Sequence, residues 1–140
     1  MISLETARRL KEAGLEWVPA NGDQFVIPDR DMDDRVYVVN DMATMIEMLK
    51  GIPVVTFHGT PEWALDYLFL VEAVWMPSES HLRELLRQSL ERMGARVFDL
   101  IYVEGEYTFR CEWKGEAEAF HAADAVEAYA AALLHVLLAG

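Results

Sequence analysis

The sequence predicts an α+β fold in which short antiparallel strands are covered by amphipathic helices. Apolar residues recur at helical spacing in segments such as 79–93 and alternate with polar residues in segments such as 106–113. Glycine or proline separates most of these segments. The chain has 140 residues, 53% of them hydrophobic, which is enough for a sizeable core and too apolar for a disordered tail. Since no linker rich in Pro, Gly or Ser divides it, we expect residues 1–140 to form a single compact domain.

The first predicted elements are a helix and a hairpin. Ser3 is a favourable N-cap for a helix that ends at Gly14. Asn21-Gly22 predicts a tight turn that joins a strand at 15–18 to a strand at 24–27. After a loop at 28–35, a further strand is expected at 36–39.

The middle of the chain is predicted to contain two helices. Asp41 caps the first and Gly51 ends it, and its apolar stripe indicates either core packing or an adaptable binding groove. The stripe consists of Met42, Met45, Ile46, Met48 and Leu49. After a buried strand at 53–57, Thr60-Pro61 predicts the start of a very apolar helix that continues to about Ala73.

The last part of the chain is predicted to have the order helix, three strands, helix. Ser78 or Ser80 caps the first helix and Gly94 ends it. Glu104-Gly105 joins strands at 97–103 and 106–113, and a third strand follows at 116–120. The final helix, 123–138, is apolar on most faces. We therefore expect it to be enclosed in a core or buried against a second chain.

A degenerate duplication is suggested by a repeated order of elements. Helix, glycine, strands, Phe-His and a very apolar helix occur twice, with the Phe-His pairs at Phe57-His58 and Phe120-His121. This order predicts two αββ(β)α units as pseudo-repeat halves, 1–75 and 76–140. Chance identity of a dipeptide is the alternative.

Charge and composition exclude several classes of function. The net charge of −12 disfavours binding to nucleic acid or to anionic membranes. The cluster Arg83, Arg87, Arg92 and Arg96 is interleaved with Glu79, Glu84 and Glu91, which indicates a solvated helix face. The chain has one cysteine, shows no signal peptide, and contains no uncharged stretch near the ~20 residues that span a bilayer. We therefore expect a cytoplasmic protein.

Two resemblances add to this interpretation. Ser3-Leu4-Glu5-Thr6-Ala7, Ala13-Gly14-Leu15-Glu16-Trp17, Gly22-Asp23 and Trp75-Met76-Pro77 resemble uncharacterised small proteins of Firmicutes and their prophage regions. The likeness covers most of the chain, but it implies no reaction, because that group has none established.

The second resemblance covers residues 78–140. Their order of elements is similar to double-stranded-RNA-binding domains and to HicB-type antitoxins, and Phe120 before an Ala-rich helix resembles the HicB pattern. Asp124 and Glu127 stand where the RNA-binding domains have a basic helix start. The chain also lacks the Pro and Gly expected between HicB strands and the basic DNA-binding tail, so the likeness implies a fold only.

One acidic loop is a candidate metal site. Asp29, Asp31 and Asp33 have the spacing of the first three ligands of a calcium loop. The glycine of that motif is Asp34 here and its final glutamate is Asn40. We consider a divalent-ion site that uses these aspartates or His58, against the alternative of a solvated acidic turn.

The remaining reactive side chains favour structural roles. His81, His121 and His135 have no second metal ligand at diagnostic spacing, and no phosphate-binding or dinucleotide-binding glycine motif is present. Cys111 lies within a predicted strand, where a packed thiol is expected rather than a nucleophile. We identify no catalytic residue and no cofactor.

The sequence therefore favours a non-enzymatic acidic module that binds protein, of an antitoxin-like or prophage-related kind. We expect a homodimer and a basic partner protein, and no binding to nucleic acid or membrane. The alternatives are a domain that binds a small ligand or a divalent metal, and a small enzyme with an unidentified site.

Overall fold

The α+β class is confirmed by a computed structural model of the protein. The structure describes residues 1–29, 35–40, 44–57, 68–95, 97–113 and 115–139. In these ranges it contains three α-helices and three antiparallel sheets of three strands each. The elements are α1 (Leu4–Glu12), β1 (Gln24–Val26), β2 (Val36–Val38), β3 (Thr44–Leu49), β4 (Ile52–Phe57), β5 (Leu68–Phe69), a 3-10 turn (Leu70–Glu72), β6 (Val74–Trp75), α2 (Glu79–Arg92), β7 (Phe98–Val103), β8 (Glu106–Trp113), β9 (Glu116–Ala122) and α3 (Ala125–Ala139).

The chain forms two compact units. The helical unit combines Met1–Leu15 with Pro77–Gly140, and the two-sheet unit is Glu16–Met76. The boundary at Met76 lies beside the predicted boundary between the pseudo-repeat halves, but α1 groups with the second half. The duplication and the single-domain organisation stay predictions.

The caps of the helical unit form where the sequence places them. Ser3 Oγ accepts a hydrogen bond from the Thr6 amide at 3.1 Å, and the Ser3 amide donates to Glu127 Oε1 at 2.8 Å. Ser78 caps α2 by accepting from the His81 amide at 3.2 Å. Gly94 follows α2 with a φ of 82°, the left-handed conformation that glycine adopts without a steric penalty.

The final helix is central to its own unit. It packs against α1, α2, β8 and β9, so its buried residues cover most of its circumference. Ala128, Ala130 and Leu133 are each no more than 1% exposed. This packing within one chain accounts for the apolar character of α3. Among the described helices, none is long and apolar enough to cross a membrane.

The two-sheet unit has a hydrophobic core of its own. Its sheets have the strand orders β2-β1-β6 and β3-β4-β5. Phe25, Ile27 and Val55 are buried in one cluster, and Trp17 and Tyr37 pack against it. The Trp17 and Trp75 rings are parallel to within 6°, with their centroids 6.3 Å apart. Trp17 and Trp75 thus contribute to packing.

The predicted helix at Asp41–Gly51 is wrong where the structure describes it. Thr44–Leu49 forms β3 and pairs antiparallel with Ile52–Phe57. Lys50 and Gly51 both have positive φ angles, 50° and 81°, which fit a type I′ turn between hairpin strands. The apolar residues of segment 44–49 are compatible with a strand as well as with a helix. Pairing with the β-branched strand β4 selects the strand conformation. Met42 lies outside the described residues.

The predicted hairpin at 15–27 is also wrong. The Asn21-Gly22 turn forms, but residues 15–18 make no strand, and β1 pairs with β2 and β6 instead. The Gly22 amide donates to the Val39 carbonyl at 2.8 Å, which directs the chain after the turn towards β2. The turn therefore forms as predicted, but tertiary pairing with β2 and β6 replaces the hairpin.

The predicted apolar helix after Pro61 lies mostly outside the described residues. Its last part, from residue 68 to Ala73, is β5 followed by the 3-10 turn rather than a helix. Leu68 and Phe69 pair with β4, and Glu72 Oε2 accepts from the Phe69 amide at 3.1 Å. These contacts are incompatible with a regular α-helix at residues 68–73.

Candidate protein-interaction surface

The β7–β9 sheet contains a tight turn between its first two strands. Glu104 and Gly105, with φ angles of 50° and 87°, form the predicted turn between β7 and β8. The register pairs Phe98 with Cys111, and it pairs Phe109 of β8 with Phe120 of β9. Because side chains alternate along a strand, each strand gives every second residue to the same face.

One face of this sheet is covered by α3, and we call it the covered face. The Phe109 ring lies 5.5 Å from the Tyr129 ring of α3, and Phe109 is completely buried. Cys111 is on the same face and is 8% exposed. Burial, and secondarily the Glu118 carboxylate, raise the pKa of the Cys111 thiol. The thiolate is therefore disfavoured, which is the opposite of what a nucleophilic cysteine requires.

The opposite face, which we call the open face, carries mostly exposed side chains. Register and alternation assign to it a mixture of carboxylates, one arginine, one histidine and small or β-branched residues. Its members are Val97, Asp99, Ile101, Val103, Glu106, Thr108, Arg110, Glu112, Ala117, Ala119 and His121.

The centre of the open face is a bidentate ion pair. Arg110 donates from Nε to Asp99 Oδ1 at 2.8 Å and from Nη2 to Asp99 Oδ2 at 2.7 Å. The hydrogen bond from Arg110 lowers the pKa of Asp99, and the carboxylate in turn raises the pKa of Arg110. Both groups are exposed, so the pair fixes cross-strand geometry more than it adds stability.

A second polar cluster lies near the hairpin turn. His121 Nδ1 is 2.8 Å from Thr108 Oγ1 and 3.2 Å from Glu106 Oε1. In a catalytic triad, one ring nitrogen faces the nucleophile and the other faces the acid. Here a single nitrogen faces both groups, so the arrangement does not match a triad. The cluster is a set of exposed polar contacts between neighbouring strands.

Two of the depressions that the described residues line adjoin this sheet. The first, about 290 Å³ in volume, lies around Val97, the Asp99–Arg110 pair and the small residues Ala117 and Ala119. Its volume is near the lower end of the range for small-molecule sites, roughly 300–1,000 Å³. The second, about 610 Å³, lies at the C-terminal end of α2, and we call it the α2-end depression. It is lined by Arg87, Leu90, Glu91, Gly94, Ala95 and Phe98.

The predicted metal site falls largely outside the described residues. Asp31, Asp33 and His58 are not among them, and Asp29 is exposed with a left-handed φ of 67°. In the described ranges, no group of three or more His, Cys, Asp or Glu side chains is arranged to hold a metal ion. The divalent-ion site stays a prediction.

The other histidines occupy structural positions. His81 accepts at Nδ1 from the Ser78 amide, at 3.3 Å, and so completes the cap of α2. The His135 ring packs against Phe120 with centroids 5.4 Å apart, and its Nε2 lies 4.0 Å from Glu118 Oε1. These contacts agree with the structural roles that the sequence favours.

Arg87 on α2 is neutralised by two glutamates of the same helix. Arg87 reaches Glu84 at 2.7 Å and Glu91 at 2.6 Å, and both pairs are exposed. Hydrogen bonds from Arg87 and Gln88 lower the pKa of Glu84 to about 2. Arg96 lies outside the described residues. Around Arg87 this helix face is thus solvated and ion-paired, as the interleaved glutamates predict.

Sequence reasoning missed two features that the fold creates. Asp23 is 6% exposed and accepts hydrogen bonds from Trp17 Nε1 and the Ala20 amide. Tyr102 is 61% exposed on β7, the outer strand of the sheet. An aspartate directly after Asn-Gly could have signalled a turn acceptor, but no local signal marks Tyr102.

Comparisons with protein-family models, with curated proteins and with solved structures gave no match for this chain. The assignment of function therefore depends on the geometry of the open face and on its charge.

Proposed function

We propose that this chain is a non-enzymatic protein-interaction module whose open face binds a basic partner protein. The observation that carries the proposal is the asymmetry of the β7–β9 sheet. The core of the helical unit uses the covered face, whereas the open face presents exposed carboxylates beside apolar side chains.

The charge of the sheet favours a basic partner. Segment 97–122 contains six acidic residues and two basic ones, which gives 2 − 6 = −4. On the open face, Arg110 is already paired with Asp99, so Glu106 and Glu112 add net negative charge. Electrostatic complementarity of this kind speeds association with a basic surface and selects against acidic ones.

The cellular setting belongs to the same proposal. A lone, buried thiol suits a reducing compartment, and the resemblances to Firmicutes prophage proteins and HicB antitoxins suggest a bacterial regulatory or adaptor role. We therefore propose a cytoplasmic, antitoxin-like or adaptor module. We also propose that it forms a homodimer.

Capture followed by reconstitution tests partner binding. The immobilised chain and the variant Glu106→Gln/Glu112→Gln are exposed to the same cell extract, and retained proteins are purified and titrated back. The double variant Glu12→Gln/Glu16→Gln is the control, because both glutamates are exposed and neither belongs to the sheet. We expect a basic protein whose binding weakens with salt and with loss of Glu106 and Glu112 but not in the control. Equal binding by all three chains would contradict the proposal.

A small-ligand function is the second candidate, and the depression beside Ala117 and Ala119 favours it. The variant Ala119→Leu would fill part of that volume. A ligand that raises the melting temperature of the wild type but not of Ala119→Leu would support this candidate.

A divalent metal is tested separately. Calorimetric titration with calcium, magnesium and zinc decides whether the loop beginning at Asp29 binds an ion. The interaction-module proposal expects no binding heat, whereas saturable heat that is lost in Asp31→Asn would support the metal function.

A further inference from the structure

The strands that the structure describes leave the outer edge of β7 without a neighbour. In the described part of the chain, β8 is the one strand that pairs with β7. Because a two-residue turn joins them, Val103 and Glu106 form a hydrogen-bonded pair. Alternation then directs the amide and carbonyl groups of Phe98, Leu100 and Tyr102 away from β8.

This edge lacks the features that usually prevent pairing. The β7 sequence has no lysine or proline, and its one charge, Asp99, is neutralised by Arg110. Val97, Tyr102 and Val103 are 72%, 61% and 59% exposed. The edge is therefore apolar and close to neutral in a chain whose net charge is −12.

The α2-end depression lies beside this edge. Its lining includes Phe98 of β7 and the end of α2, but no residue of β8 or β9. Since the Phe98 ring packs 5.4 Å from the Phe109 ring, the depression is on the covered-face side of β7. Nothing lies within 4 Å of the position where a Cβ on Gly94 would be, so this part of the lining is open.

We propose that a second copy of this chain pairs its β7 antiparallel with the first, about a two-fold axis through Leu100, so that each Tyr102 enters the α2-end depression of the other copy. This inference rests on the proposed homodimer and specifies where the interface of that dimer lies. The two sheets would become one continuous six-stranded sheet.

The register follows from the edge groups. With Leu100 opposite Leu100, Phe98 lies opposite Tyr102, and these residues carry the outward amide and carbonyl groups. Opposed side chains share a face, so Tyr102 projects on the covered-face side, where the depression adjoins Phe98. On the open face, exposed Val97 meets exposed Val103.

The charge of the β7 edge favours a second copy of this chain over a basic segment as the strand that pairs with it. In this register Asp99 lies opposite Ile101, so no two carboxylates face each other across the axis. A basic strand would find no unneutralised carboxylate on β7, whereas a neutral apolar strand matches it. The β7 strand of another copy has that character.

Sedimentation equilibrium of the full chain tests the interface. We expect the wild type to show twice the 15.9 kDa chain mass. Ile101→Glu places a carboxylate opposite Asp99 of the other copy, so we expect a monomer. Ala119→Glu is the matched control, because it adds the same charge on the same face but at β9. We expect it to remain dimeric.

A second pair of variants tests the inserted tyrosine. Tyr102→Ala should raise the dimer dissociation constant roughly 30-fold, the size of an aromatic hot spot. Tyr107→Ala loses the same contact between the Tyr102 and Tyr107 rings, 4.9 Å apart, but leaves Tyr102 in place. It should therefore dimerise. Circular dichroism identifies variants that fail to fold. If Ile101→Glu unfolds, the Tyr102→Ala variant tests the interface instead, because Tyr102 is exposed and its replacement leaves the core unchanged.

The outcomes separate the two claims. A wild type that stays monomeric at high concentration overturns both the proposed homodimer and this interface. A dimeric wild type whose Ile101→Glu and Tyr102→Ala variants also remain dimeric overturns the interface alone. If Tyr102→Ala, which leaves the open face unchanged, abolishes binding of the basic partner while the dimer stays intact, the edge serves that partner, and the inference is wrong.

Discussion

Asp23 organises the start of the two-sheet unit through one carboxylate oxygen. Its Oδ2 accepts from Trp17 Nε1 at 2.9 Å and from the Ala20 amide at 3.0 Å, and its carbonyl accepts from the Val39 amide. The side chain thus holds an irregular segment that would otherwise leave polar groups without partners.

We predict that Asp23→Ala destabilises the protein by about 1–3 kcal/mol, because it removes the acceptor from two donors in a mostly buried region. Asp23→Asn keeps one acceptor oxygen and should cost less. Urea unfolding measures both, with Glu16→Gln as the exposed control. A loss below about 0.5 kcal/mol for Asp23→Ala would contradict this account.

At the scale of elements, α3 is stabilised by enclosure within its own unit. Leu133 is 1% exposed, whereas Leu138, one and a half turns later, is 70% exposed. We predict that Leu133→Ala lowers the free energy of unfolding by about 2–5 kcal/mol, because it leaves a cavity between packed elements. Leu138→Ala is the control and should cost far less. Equal losses at the two positions would show that α3 is not enclosed as described.

The helix α2 carries a pH-dependent contribution through Glu84. Its pKa is lowered to about 2 from a usual value near 4.5, first by the Arg87 hydrogen bond and then by Gln88. A lowered pKa means that the pair stabilises the fold above about pH 4.5 and that this contribution is lost as the pH falls towards 2.

We predict that Arg87→Gln raises the pKa of Glu84 towards 4.5, as measured by carboxyl-carbon NMR titration. Arg92→Gln is the control, because Arg92 contacts Ser89 rather than Glu84. An unchanged Glu84 pKa in Arg87→Gln would show that the pair does not persist in solution.

Elements set by local signals could be predicted from the sequence. Ser3 and Ser78 act as caps, and Glu104-Gly105 makes its turn, because each depends on neighbouring residues alone. The strand β3 could not be distinguished from a helix, since its partner β4 and the Lys50-Gly51 turn decide its conformation. The open face could not be predicted for a related reason. Which residues lie on it depends on the strand register, which places Asp99 opposite Arg110.

At the scale of the whole molecule, the net charge of −12 gives the two proposed associations opposite responses to salt. Salt screens the attraction between the open face and a basic partner, and it also screens repulsion between two acidic copies. We predict that raising the salt concentration weakens partner binding and strengthens the dimer. Calorimetry and sedimentation equilibrium on the same samples measure both. If both respond in the same direction, the two surfaces are not as assigned.

Amide hydrogen exchange, with and without the captured basic partner, tests the central claim most directly. According to that claim, the β7–β9 sheet binds the partner and the helices only support the sheet. We predict that the partner slows exchange within residues 97–122 and leaves α1 and residues 16–29 unchanged. Protection confined to α1, or to the two-sheet unit, with the sheet unaffected, would contradict the claim.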